Sequence, residues 1–125
     1  MNQISIIIPT FREADNIPEL LSRIESSLKN TRYKYEIIIV DDDSRDGIEG
    51  IIFELQKKYC LKLKIRYNER GLASAVIDGF RLAAGEIYLV MDADLSHPPE
   101  YIPGMIDKIS HDNFDFVIGS RFING

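Results

Sequence analysis

Short apolar runs rich in β-branched residues recur along the chain at residues 4–9, 35–40, 63–67, 87–91 and 114–118. Each has the length of a strand. Runs such as Ile37-Ile38-Ile39-Val40 do not alternate with polar residues, so both strand faces are expected to be covered, as in a mainly parallel sheet between helices. The stretches between them carry a helical period. Residues 16–30 place Ile17, Leu20, Leu21, Ile24 and Leu28 on one stripe, with Asn16 as candidate N-cap, Pro18 in the first turn and Glu19 placed for a capping box. Residues 47–59 offer Ile48, Ile51, Ile52, Leu55 and Tyr59; residues 72–84 offer Leu72, Val76, Phe80 and Ala83; residues 99–110, opened by Pro98-Pro99, offer Ile102, Met105, Ile106 and Ile109. The predicted order is β-α-β-α-β-α-β-α-β, a three-layer α/β/α, Rossmann-like fold built as one domain across residues 1–125. Ligands of such sheets bind outside the carboxyl ends of the strands.

Composition narrows this. A chain of 125 residues, 45% hydrophobic, can bury one substantial core. Twenty acidic against 15 basic residues give a net charge of −5, which argues against a nucleic-acid partner needing a basic face. The single Cys60 excludes an internal disulfide and a Cys-rich zinc site, and is expected to be a structural thiol in a reducing compartment. No apolar run approaches the ~20 residues of a bilayer span and the start lacks a signal peptide's basic region, so a cytoplasmic protein is expected.

Polar residues follow the strands: Pro9-Thr10-Phe11-Arg12-Glu13 after the first, Asp41-Asp42-Asp43-Ser44 after the second, Asp92-Ala93-Asp94 after the fourth, Gly119-Ser120-Arg121 after the fifth. On extended backbone Asp92 and Asp94 project to one side and Ala93 away, so both carboxylates can address one hard cation, Mg²⁺ or Mn²⁺, with phosphate completing its sphere. The same residues would also serve to turn the chain. Asp41 to Asp43 crowd three like charges that need an offset; Asp42 is the candidate ligand contact, whereas Asp43, Ser44 and Asp46 suit turn and cap roles before Gly47. Arg121 has the fork suited to phosphate, or is a solvated surface group. Arg70 to Ala75 opens a helix with small residues, for phosphate or for tight packing on the sheet, packing being favoured. His97 and His111 have no partner at metal-ligand spacing, and His97 is expected to shape a loop.

The segments at residues 8–16, 40–47, 70–75, 91–100 and 119–121 stand in the order seen in dolichyl-phosphate mannose synthases, and the chain resembles that branch of the inverting glycosyltransferase family 2, of the GT-A fold, over essentially its whole length. The resemblance implies transfer of a hexose, mannose from GDP-mannose, to a polyprenyl or dolichyl phosphate. By position it implies a nucleotide-sugar pocket of Pro9, Phe11, Glu13, Val40, Asp42, Asp92, Ala93, Asp94 and Arg121. Asp92 and Asp94 would be catalytic and, with Ser96, would hold Mg²⁺ or Mn²⁺. Phe11, Arg12, Asp43 and Arg45 stand where the family often has Tyr, Asn, Gly and Pro. The chain stops at Gly125, where family members continue into acceptor-binding segments, so the resemblance implies a donor-binding part whose transfer activity alone is open. Membrane association would come only through segments absent here, and a homo-oligomer is left open. The other readings are a family 2 transferase with a UDP-glucose or UDP-GlcNAc donor, and a non-catalytic nucleotide-sugar-binding or regulatory module. A phosphoacceptor signalling domain is set aside, because Thr10 and Arg121 stand where it would need an acidic pair and a Lys.

Overall fold

The computed structural model describes residues 3–96, 98–112 and 116–119, with side chains described up to residue 108. Five strands form one sheet in the order β3-β2-β1-β4-β5: β1 Gln3–Thr10, β2 Lys34–Asp41, β3 Leu61–Ile65, β4 Ile87–Met91 and β5 Phe116–Gly119. All four pairings are parallel. The helices are α1 Ile17–Leu28, α2 Ile48–Leu55, α3 Leu72–Leu82 and α4 Ile102–Asp112, and 3-10 turns at Ala14–Asn16 and Pro99–Tyr101 lead into α1 and α4.

The central strands β1, β2 and β4 alternate between two apolar layers, which explains why runs such as Ile37 to Val40 are apolar without a break, whereas the edge strand β3 alternates with Lys62 and Lys64. Ile4, Ile6, Ile8, Ile37, Ile39 and Leu89 face the larger core with the stripes of α1, α2 and α4. Ile7, Ile38, Val40 and Val90 face the smaller core with Ala75 of α3. Helices therefore lie on both faces, the doubly wound arrangement. The α1 stripe is buried throughout, as its periodicity predicts.

Several local expectations are corrected. Asn16 makes no side-chain cap, because a 3-10 turn already leads the chain into α1. The third strand is Leu61–Ile65 rather than residues 63–67, since Ile37 to Asp41 of β2 pair with residues 61 to 65. The helix expected over residues 47–59 ends at Leu55, and Tyr59 reaches the core from the turn that follows. Leu72 is 60% exposed, because α3 approaches the sheet through Ala75 and Gly79 instead. A β-carbon on Gly79 would stand 2.5 Å from Ile7 Cγ2, so glycine sets that approach. Cys60 is exposed rather than a buried structural thiol.

Candidate functional site

In sheet order, β1 is joined in sequence to β2 on one side but lies beside β4 on the other. The chain thus leaves the carboxyl ends of these two neighbours in different directions, which opens a crevice at the switch point. A cleft of about 220 Å³ lies there, lined by Pro9 and Thr10 at the end of β1, Phe11 and Glu13 after it, Asp42 after β2, Leu72 and Ala75 of α3, and Asp92, Ala93 and Asp94 after β4. Eight of these ten residues come from three polar segments far apart in sequence.

The β4 strand ends at Met91, and residues 93–94 form a turn. Asp92 and Asp94 are thus brought to one cleft by a turn rather than by extended backbone. Ala93 between them is buried in the larger core while it contributes to the cleft lining. Asp94 Oδ1 accepts the Ser96 backbone N–H at 3.0 Å, so the turn-forming role of this Asp is real and coexists with its place in the cleft. The exposed Ser96 follows the turn, and its side chain is outside the cleft lining described above. At the far end of the loop, Glu100 receives two bonds from Arg23 of α1, at 2.7 and 3.2 Å, which anchor the start of α4.

Glu13 reaches the same cleft from β1. Partial burial and then the nearby charges of Asp94 and Asp92 push its carboxyl above the usual range, against a weaker opposing bond from Asn16. Three acids thus sit close enough to feel one another, and a cation between them would relieve the crowding. Among the described residues no group of three or more His, Cys, Asp or Glu is arranged to hold a metal by itself. Two carboxylates completed by donor phosphates is the usual way Mg²⁺ is bound, so the residues present fit such an ion.

The three consecutive acids at and after the end of β2 are each bonded differently. Asp41 is fully buried and accepts the Thr10 hydroxyl at 2.6 Å, the Ser44 hydroxyl at 2.7 Å and the Ser44 N–H at 2.8 Å. Asp42 accepts Arg66 Nε at 2.8 Å and the Gly71 N–H at 3.1 Å. Asp43 pairs with the exposed Arg45 at 3.2 Å. Ser44 and Asp46 do not cap α2, whose N-cap Gly47 stands alone at φ 85°. They stitch the β2 loop to the β1 loop instead: Ser44 Oγ accepts Arg12 N–H at 2.6 Å and Asp46 Oδ2 accepts Ala14 N–H at 3.1 Å.

Phe11 is 39% exposed at the cleft, with the guanidinium carbons of Arg12 and Arg70 at 5.1 and 4.7 Å from its ring centroid. Arg12 and Arg70 also line a neighbouring open cavity of about 570 Å³ with Asp43, Ser44, Arg45 and Asp46. Val40 is fully buried in the smaller core, so of the residues implied for the pocket it lies beneath the cleft rather than on its lining. The Gly71 N–H is bonded to Asp42, and Ala75 packs on the sheet, which favours the packing role of the small residues opening α3. Arg121, Ser120 and His97 lie outside the described residues.

Sequence reasoning missed Arg66, Glu36 and the bonding of Asp41. Arg66 directly follows β3 and lies inside the run expected as a strand at residues 63–67, where it could not be told from the exposed-face lysines Lys62 and Lys64.

The fold and cleft define an open-sheet α/β domain with an acidic cleft, rimmed by Phe11, at its switch point. The model of glycosyl transferase family 2 matches residues 5–125, and the chain belongs to that family. It is 48% identical, over 98% of its length and 34% of the relative's, to a dolichol-phosphate mannosyltransferase of Pyrococcus furiosus. It is 42% identical, over 94% of its length and 42% of the relative's, to a dolichol-phosphate mannosyltransferase of Mycosarcoma maydis. Among solved structures it is similar to a mannosyltransferase of Pyrobaculum calidifontis in complex with GDP-Man and Mn²⁺, with a TM-score of 0.74 and 28% identity over 87% of this chain and 32% of that one. The fold is therefore of the GT-A type, and the chain spans between a third and a half of the length of these two relatives.

Proposed function

We propose that this chain binds GDP-mannose through a divalent ion, Mg²⁺ or Mn²⁺, and forms the donor half of a transferase that passes mannose, with inversion, to a polyprenyl or dolichyl phosphate. The observation that carries the reading is the convergence of Asp92, Asp94, Glu13, Asp42 and Phe11 on one cleft at the β1–β4 switch point. The solved relative with GDP-Man and Mn²⁺, and the relatives named for dolichol phosphate, support the donor, the ion and the acceptor class.

Asp92 and Asp94 would hold the ion, with Ser96 as a further ligand. When bound, it neutralises charge developing on the leaving diphosphate. Phe11 offers an aromatic face to the base, and Asp42 offers acceptor lone pairs to the nucleoside. Arg121 would add a second positive charge at the phosphates. In the transfer, an acceptor phosphate oxygen forms a bond to the anomeric carbon as the bond from that carbon to the donor's β-phosphate oxygen breaks. The bonding pair leaves with GDP. The incoming phosphate is already anionic, so no general base is required, whereas an alcohol would need one.

Calorimetry with GDP and UDP, with and without Mn²⁺, tests the donor site. GDP is expected to bind in a metal-dependent manner, tighter than UDP, and Asp92→Ala and Asp94→Ala are each expected to abolish the metal dependence. Binding indifferent to both substitutions would sink the reading.

A further inference from the structure

Arg66 carries a buried charge that the donor reading does not use. Its side chain is 2% exposed, and its guanidinium reaches three separate pieces of chain. Nε donates to Asp42 Oδ1 at 2.8 Å, Nη1 to Asp78 Oδ2 at 3.2 Å and Nη2 to the Gly71 carbonyl at 3.4 Å. The circuit closes on itself, because Asp42 Oδ2 also accepts the Gly71 N–H at 3.1 Å. The backbone is tied as well, with Arg66 N–H donating to the Asp41 carbonyl at 2.8 Å.

A buried cation that bonds two carboxylates, with the exposed carboxylate of Glu69 at 3.7 Å as a third, is there for geometry as much as for charge, since a fork of fixed donors allows few orientations of its partners. Here one partner, Asp42, lines the cleft, and another, Gly71, at φ 122°, is the turn from which α3 delivers Leu72 and Ala75 to the same cleft. A carboxylate has about four lone-pair sites, and the two contacts to Asp42 fix its plane while using one on each oxygen.

We propose that Arg66 is a positioning residue for the nucleoside end of the donor: it holds the Asp42 carboxylate and the Gly71 turn in the orientation that meets the nucleoside, without touching the donor itself. The inference rests on the nucleotide reading of the cleft. It separates the two ends of the site, because Asp92 and Asp94 are carried by the turn after β4, whose own anchors are Ser96 N–H and the Arg23–Glu100 pair.

That separation supplies the test. Binding of GDP with Mn²⁺ and of inorganic pyrophosphate with Mn²⁺ is measured on the wild-type chain, Arg66→Met, Arg66→Lys, Asp42→Asn and the Arg66→Met/Asp42→Asn double variant. Thermal melts establish that each is folded. Arg66→Met is expected to weaken GDP by roughly ten- to a hundredfold, the loss seen when an outer partner orienting a binding group is removed from a metal site, and to leave pyrophosphate unchanged. The double variant is expected to bind GDP no worse than Arg66→Met, because both act through one carboxylate. Lysine restores the charge but not the fork, so it is expected to recover only part of the GDP affinity. Should Arg66→Met fail to fold, Asp78→Asn loosens the guanidinium from its other side and is expected to give the same split at smaller amplitude. Parallel weakening of GDP and pyrophosphate, an unchanged GDP affinity, or full recovery by lysine would each overturn the proposal. A wild-type chain that does not bind GDP at all would sink the nucleotide reading and this inference with it.

Discussion

Among the described residues, the buried acids Glu36 and Asp41 are each matched to a particular set of donors. Glu36 is 2% exposed and accepts the Ser5 hydroxyl at 2.6 Å and the Ala84 N–H at 2.7 Å, with Lys62 Nζ at 3.0 Å. Burial by itself would raise its carboxyl, but these bonds outweigh burial and hold it below the ordinary range. A carboxylate whose folded pKa is lowered gives stability that is present above the unfolded value and is lost as pH falls through the folded one. Urea titrations from neutral pH down through the carboxylate range are therefore expected to show falling stability, with part of that slope missing in Glu36→Gln. At neutral pH the same substitution sets an amide N–H₂ against donors and is expected to cost about 1–3 kcal/mol. None of this is legible around Glu36 in the sequence, where it looks like a strand-end residue: its partners lie 31, 48 and 26 positions away, and only the sheet and the α3–β4 turn bring them in.

At the scale of elements, periodicity located every helix and strand to within a few residues, and the differences fall where a terminus is decided by contacts. The start of α2 is set by Gly47 at φ 85° with open space around it. Gly47→Ala is therefore expected to cost about 1–2 kcal/mol through backbone conformation alone, read as a shift in chemical-denaturation midpoint with unchanged slope. For α3 the opposite cause applies. In Gly79→Ala the new methyl meets the fully buried Ile7, which has no room to retreat, so a loss of about 1–3 kcal/mol from overpacking is expected by the same measurement. The loops at the cleft show a further pattern: Arg12, Asp43, Arg45 and Leu95 all have φ between 54° and 64°, conformations unfavourable for side-chain-bearing residues, and all follow β1, β2 or β4 at the carboxyl edge. Strain of this kind collects at binding sites, held in place by surrounding bonds, here Ser44 to Arg12 and Arg45 to Asp43.

For the whole molecule, the strand order matters most. Placing β1 between β2 and β4 sets their carboxyl ends side by side, so Pro9, Thr10, Phe11, Glu13, Asp42 and residues 92–94 share one cleft. At this edge partial burial, and then the charges of Asp94 and Asp92, raise the carboxyl of Glu13. Ligand that binds only the folded chain stabilises it by mass action, by about 2.7 kcal/mol at a hundred times Kd. GDP with Mn²⁺ is accordingly expected to raise the melting temperature of the wild-type chain by several degrees, and neither component alone to match it; in Asp92→Ala the increment is expected to vanish. Among the described residues no helix is long and apolar enough to cross a membrane.

The sequence by itself determined the α/β alternation, the parallel character of the sheet and the segments that meet at the ligand edge, because hydrophobic period and strand-end polarity are local properties carried in runs of adjacent residues. It also carried the family resemblance, since those segments keep their order along the chain. Only the tertiary structure decided what each acid does. Asp41, Asp42 and Asp43 are identical neighbours in the sequence, yet one is buried on hydroxyls, one is locked by Arg66 at the cleft and one is paired at the surface. Their roles depend on partners brought across strands and loops, and the cost of burying a charge is set by those partners rather than by the residue that bears it.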